Sequence, residues 1–239
     1  MLYTMILETT VLVYRILCMF LALLYLIWTK TGLKSVTFRL AAQTRSNRKP
    51  QRIPNHLSLV FFEESLSVPD VANLIHWSFE FGVSVLSVCD VQGQIVQKSD
   101  LVHRILEKRG LIEHWTQDSK RRYFYRFTVE NDRHSQNFMV NYHLTNYGLE
   151  NLCDLARVVC QSPKSLSDAE LADAVYDTSA LPDVELTIQF GTFTSLLGTF
   201  PWHSGWSEFL NMTTHWNVQR EDFRHTISRL DNIKQRWGR

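Results

Sequence analysis

From Ile53 onward, short unbroken apolar runs alternate with longer segments whose apolar residues return every three or four positions. The first kind of pattern predicts strands covered on both faces, and the second predicts helices with one buried stripe. Leu57 to Phe62 (LSLVFF) is the first such strand. A helix follows from Ser67, with Pro69 in its first turn, Val71, Leu74, Ile75 and Phe79 as its stripe, and Gly82 as its stop. Val83 to Cys89 is a second strand, and Ser99 to Arg109 a second helix with Leu101, Val102, Ile105 and Leu106 inward. Tyr123 to Glu130 and Asn137 to Leu144 are strand-like, separated by the polar loop Asn131 to Gln136. Tyr147 to Cys160 is helical, with Leu149, Leu152, Cys153, Ala156 and Cys160 on one side. Ser167 and Glu170 form a capping box for Asp168 to Tyr176, and Val184 to Phe190 is a further strand ended by Gly191. From Glu221, Phe223, Ile227, Leu230 and Ile233 or Lys234 mark a last helix.

Strands alternating with helices of crossover length predict an α/β domain with a mainly parallel β-sheet flanked by helices. In such sheets functional residues gather at the carboxyl ends of strands. The places to look are therefore Phe62 to Ser65, Asp90 to Gly93 and Gln189 to Thr194.

The amino terminus follows different rules. Ile16 to Trp28 carries no charge, and extending it back through Arg15 to Thr9 reaches the about 20 residues that span a bilayer. Arg15 lies close enough to the near interface to snorkel, and Tyr25 and Trp28 suit the far one. A cleaved signal peptide carries its positive charge before the apolar run and a small-residue site after it. Here the charge comes mostly after, so the expectation is one uncleaved transmembrane helix within residues 1–29. Residues 30–52 then form a basic juxtamembrane linker, and residues 53–239 the folded domain. No acidic residue stands between Glu8 and Glu63, while Lys30, Lys34, Arg39, Arg45, Arg48, Lys49 and Arg52 are basic. The positive-inside rule places the domain in the cytoplasm. The sequon Asn211-Met212-Thr213 would accept a glycan only if the domain were lumenal.

The 239 residues, 45% hydrophobic, are enough for one sizeable core, and the formal net charge of +1 does not call for nucleic acid. Cys153 and Cys160 stand two helical turns apart, about 10 Å, too far for a disulfide. The nine histidines are scattered without zinc-site spacing. There is no phosphate-binding glycine loop, nucleophile elbow or metalloprotease motif. Glu63 and Glu64 point to opposite faces of a continuing strand and read as two solvated charges, and His56, His76 and His203 as structural residues. At the carboxyl end stand Arg236, Trp237, Gly238 and Arg239. On spacing alone this is either a basic last turn with a glycine cap, or a glycine and arginine pair suited to phosphate oxygens.

Three stretches in order resemble the cis-prenyltransferases, across about four-fifths of the chain. Ile53-Pro54-Asn55-His56 through Phe62 has the rhythm of their first motif, P-x-H-(apolar)-A-(apolar)₃-D-G-N. Leu186 to Gly191, then Phe200-Pro201-Trp202-His203 and Ser207-Glu208-Phe209, resemble their later L-x-I-R-T-x-G-E, N-F-L-x-W-Q and S-E-L. Asp222-Phe223 through Arg236-Trp237-Gly238 resembles the closing D-F…R-R-F-G with its R-x-G end.

The departures from that pattern bear on chemistry. Phe62 stands where active members carry the aspartate that holds magnesium on the allylic diphosphate, and Glu63 and Glu64 replace its glycine and asparagine neighbours. Gln189 stands where they have a diphosphate-binding arginine. Glu208 keeps a second acidic position without its partner. With an anchor and an intact R-x-G end, the chain is similar to the non-catalytic subunits of eukaryotic dehydrodolichyl diphosphate synthase. That resemblance implies an endoplasmic-reticulum membrane subunit, inactive alone, paired with a catalytic cis-prenyltransferase subunit that holds Mg2+. It also implies that Arg236, Trp237 and Gly238 contact isopentenyl diphosphate across the interface. The competing reading is a membrane-tethered adaptor that keeps the domain as a binding scaffold. A self-sufficient prenyltransferase is disfavoured by Phe62 and Gln189.

Overall fold

The computed structural model describes residues 52–118, 122–127, 137–161, 167–179, 181–195, 198–201 and 205–233. The expected transmembrane helix, the linker up to residue 51 and the Arg236-Trp237-Gly238 end lie outside these residues. Among the described residues no helix is long and apolar enough to cross a membrane.

Seven strands form one sheet in the order β3-β4-β5-β2-β1-β6-β7. They are β1 His56–Phe61, β2 Val85–Asp90, β3 Ile112–Gln117, β4 Arg122–Phe127, β5 Asn137–Tyr142, β6 Leu186–Phe190 and β7 Glu208–Met212. The helices are α1 Val68–Glu80, α2 Gln94–Gln97, α3 Ser99–Lys108, α4 Tyr147–Gln161, α5 Asp168–Ser179 and α6 Arg220–Ser228, with a 3-10 turn at Arg229–Asn232. Strands β5, β2, β1, β6 and β7 are parallel, and β3 and β4 extend the sheet antiparallel. The mainly parallel α/β architecture thus follows the apolar runs. Neither β3 nor β7 was expected from the sequence. Both are edge strands among the described residues, and edge strands do not need an apolar run.

Because side chains alternate along a strand, the register sorts the sheet into two faces. On one, the rows Val140–Leu86–Leu57–Leu186 and Tyr142–Val88–Leu59–Ile188–Leu210 are buried and apolar. Onto these rows pack Val71, Leu74 and Ile75 of α1, Val102 and Leu106 of α3, and Phe223 and Ile227 of α6. The expected stripe of the carboxyl-terminal helix is therefore found: Phe223, Ile227 and Leu230 are fully buried. Leu101, expected inward on α3, is exposed, and His103 takes the inward place. Its ring sits among Trp115, Tyr123, Tyr125 and Tyr142, with centroids 4.4 to 6.1 Å away. Neither of its ring nitrogens has a hydrogen-bond partner.

The opposite face carries a smaller cluster of Val85, Leu181, Val184 and Phe200, with Tyr147 of α4 and Met139 packed against it. The Ser167–Glu170 capping box forms as the spacing predicts, with Glu170 Oε2 accepting from the Ser167 amide at 2.9 Å. Helix α4 forms where the spacing predicts. Its apolar residues share one side, yet no residue of α4 is buried, and Leu149, Cys153, Ala156 and Cys160 are exposed. An amphipathic pattern states which side of a helix is apolar, and says nothing of what covers it. Gly148 fits for a local reason: a Cβ there would collide with the Thr199 carbonyl oxygen.

Burial pushes His103 down to about 4 from an ordinary 6.5. The unfolded chain therefore takes up this proton first as pH falls, so the ring costs stability progressively between pH 6.5 and about 4. His103→Phe is expected to flatten the dependence of the urea midpoint on pH across that window. An unchanged slope would contradict the buried neutral ring.

Candidate functional site

The carboxyl ends of β1, β2 and β6 lie side by side, because Phe61 is level with both Asp90 and Phe190. Each strand ends in a residue already engaged. After β1, the Phe62 amide donates to the Phe190 carbonyl at 2.9 Å, and its backbone and Cβ run close against Gly191. A Cβ on Gly191 would come to 3.0 Å from Phe62 Cβ, and its φ of +129° is one that side-chain-bearing residues rarely adopt. On β6, Gln189 is buried and its amide donates to the Ser195 carbonyl at 2.8 Å. It tethers the loop after the strand instead of facing an anion. On β2, the buried Asp90 carboxylate accepts from the amides of Gln92, Gln94 and Ile95 at 2.8 to 3.1 Å. It caps α2 and the turn leading to it.

Glu63 departs from the solvated charge expected of it. Its Oε1 accepts from the Thr214 hydroxyl, and its Oε2 from the His215 amide at 2.9 Å and from the His215 ring. His215 is fully buried, and its Nε2 accepts from the Ser67 amide at 2.9 Å. A nitrogen that accepts carries no proton, so the ring donates from Nδ1 to Glu63. Glu63, His215 and Ser67 therefore fasten the connection from β7 to α6 against the end of β1. Glu64 is exposed, as expected. Local sequence could not reveal this clamp, because Glu63 and His215 are 152 positions apart.

The suspected degenerate positions are only partly brought together. Phe62 and Gln189 are neighbours at the strand ends. Glu208 opens β7, paired with Leu186 at the start of β6. Four residues of strand, about 13 Å, separate it from the level of Phe61. His56 is structural, as expected, with Nδ1 donating to the Pro182 carbonyl at 2.7 Å and Nε2 accepting from the Ser87 hydroxyl at 2.8 Å. His203, like Arg236, Trp237 and Gly238, lies outside the described residues.

The residues at these strand ends do not fit a magnesium diphosphate site. Phe62 has no donor atom, Asp90 is spent on backbone amides, and Glu63 is spent on His215 and Thr214. Among the described residues no group of three or more His, Cys, Asp or Glu is arranged to hold a metal.

Burial alone would raise the Glu63 carboxyl, but hydrogen bonds from His215 and Thr214 hold it below its ordinary 4.5. The clamp therefore stabilises the fold above pH 4.5 and is lost as pH falls through the lower folded value. Glu63→Gln is expected to lower unfolding free energy at neutral pH by about 2 kcal/mol and to weaken the acid dependence below the ordinary carboxylate range. Unfolding curves unchanged from wild type at both pH values would contradict the clamp.

No protein-family model matches the chain. The chain is 28% identical over 208 residues to the dehydrodolichyl diphosphate synthase complex subunit NUS1 of Homo sapiens, covering 80% of this chain and 69% of that protein. It is 29% identical over 206 residues to the Nus1 subunit of Mus musculus, covering 80% and 68%. The crystal structure of a probable undecaprenyl diphosphate synthase from Campylobacter jejuni superposes with a TM-score of 0.52 at 16% identity, over 79% of this chain and all of that one. The chain thus has the fold of undecaprenyl diphosphate synthase, and over four-fifths of its length it is similar to NUS1, the Nogo-B receptor subunit of the dehydrodolichyl diphosphate synthase complex.

Proposed function

We propose that the chain is a non-catalytic accessory subunit of a dehydrodolichyl diphosphate synthase complex. The complex condenses isopentenyl diphosphate with farnesyl diphosphate into long cis-polyprenyl diphosphate, for dolichol synthesis and protein N-glycosylation. The observation that carries this reading is the state of the strand ends. A fold like that of a diphosphate-using synthase presents Phe62, an inward-tied Gln189 and a clamped Glu63 where an allylic diphosphate and its magnesium would need free carboxylates and cations. The ionising carboxylate and Mg2+ therefore fall to a catalytic cis-prenyltransferase partner.

The course of α6 supports a role for the carboxyl end in that partner's site. The Arg52 amide donates to Asp231 Oδ1 at 2.7 Å, which puts the end of the 3-10 turn near the amino end of β1. The last described residues, up to Ile233, thus lie near the amino end of β1, away from Phe62. In this reading Arg236 forks onto the diphosphate of isopentenyl diphosphate bound by the partner, and the backbone about Gly238 donates to it, with Trp237 between them. Cationic forks and backbone donors suit a reaction that expels diphosphate. Edge strand β7 supports pairing with another chain: Phe209, Trp206 and Trp216 beside it are each about 40 to 50% exposed. The anchor at 1–29 and the basic linker at 30–52 hold the domain on the cytoplasmic face of the endoplasmic reticulum, where so long a hydrocarbon product enters a bilayer.

Gly238→Ala in the purified complex is expected to cut labelled isopentenyl incorporation by about tenfold or more, chiefly through KM, while co-purification with the catalytic partner is unchanged. Wild-type kinetics in that variant would remove the tail from the reaction. That result would favour the adaptor reading.

A further inference from the structure

The first and last described residues of the domain meet. Arg52 is the first and Ile233 the last, and Ile53 and Ile233 pack against the same apolar core on the α1 side of the sheet. The Arg52 amide donates to Asp231 Oδ1 at 2.7 Å, across 179 positions of sequence. The Arg52 guanidinium stands 3.6 Å from Glu185 Oε2. Glu185 is itself fixed. Its Oε1 accepts from the Asn55 amide at 3.1 Å, its amide donates to the His56 carbonyl, and its carbonyl accepts from the Glu208 amide. Asp231 is thereby tied, through Arg52, to the amino ends of β1, β6 and β7.

The chain changes course around Asp231. Arg229–Asn232 is a 3-10 turn, and at Ile233 the backbone becomes extended, with φ −87° and ψ 117°. Leu230 is fully buried and Ile233 packs on the core, which sets how deep the turn sits. Apolar contacts are non-directional, so they hold the turn down without fixing where along the surface it lies. A hydrogen bond to a carboxylate is directional and short. The bond from Arg52 therefore fixes what the packing leaves open, the position of the turn along the amino-terminal edge of the sheet.

We propose that Asp231 is a positioning residue for the carboxyl-terminal tail: by holding the Arg52 amide it sets the point from which residues 234–239 leave the domain. This rests on the reading that Arg236 and Gly238 serve the partner's isopentenyl diphosphate site. Arg236 is three peptide units beyond Ile233, so its Cα lies no farther than about 11 Å from that of Ile233. A shift of the root is passed on to a group whose contact with phosphate depends on placement, where a misplacement of about 1 Å can cost two orders of magnitude. Arg52 also ends the basic linker, so linker and tail share one fastening.

Steady-state kinetics of labelled isopentenyl incorporation, by the full chain co-purified with its catalytic partner, tests this role. Asp231→Ala is expected to raise KM for isopentenyl diphosphate by about three- to tenfold, with kcat and the thermal midpoint near wild type. Asp231→Asn keeps the acceptor oxygen and should restore the wild-type KM. A wild-type KM in Asp231→Ala, with Gly238→Ala impaired, would overturn the fastening and leave the tail's role standing. Wild-type kinetics in both would overturn the tail's role and the fastening with it. A raised KM that Asp231→Asn does not reverse, or that tracks a lowered midpoint, would also overturn the fastening, because it marks the loss of a charge or of the fold.

Discussion

Five parallel strands held in register depend on continuous apolar rows on one face, from Val140 through Leu86 and Leu57 to Leu186 and its neighbours. Burial of these side chains at roughly 1.5–3 kcal/mol each fixes the strand order and the direction in which all five strands point. Parallel strands deliver their carboxyl ends to one edge, so the residues that follow β1, β2 and β6 must meet there. In this chain what meets there is already satisfied: Phe62 packs on Gly191, Asp90 caps α2, Gln189 ties to Ser195, and Glu63 holds His215. Scaffold and site are thus separable. The same sheet that positions a synthase's chemistry persists here with its strand ends turned to holding loops in place.

The two faces of that sheet divide the labour differently. The α1, α3 and α6 side is a dry core completed by aromatic rings, including Phe79 stacked on Phe127 at 4.4 Å and the box around His103. The other side has a polar centre and an apolar rim, against which α4 packs Tyr147. Helix α6 belongs to the α1-side core through Phe223 and Ile227, which fixes its course from the clamped strand ends toward the amino end of β1.

Much of this was legible from local pattern. The runs at β1, β2 and β6, the stripe of α1, the capping box at Ser167 and the buried face of α6 each follow from a rule that acts over a few residues. What was not legible needed information from across the chain. The β3 and β7 edges are mixed in polarity and so do not announce themselves. Leu101 and His103 exchange places because an aromatic box formed by three other strands receives the ring. The stripe of α4 was visible as a stripe, but what covers a helix face is set by residues far along the chain. Glu63 read as solvated because its partners lie far along the chain. The likeness to the dehydrodolichyl diphosphate synthase subunits was legible from motifs spread along the chain. The place of Glu208 at the amino end of β7 emerged only from the register.

The central claim is that this chain acts only as part of a two-chain synthase. Labelled isopentenyl incorporation into long polyprenyl diphosphate tests it most directly, measured with the full chain alone, the catalytic partner alone, and both together. The account predicts negligible product from this chain alone with magnesium and farnesyl diphosphate, and a large gain when it is added to the partner. Long-chain product from this chain alone, or a partner fully active without it, would contradict the account.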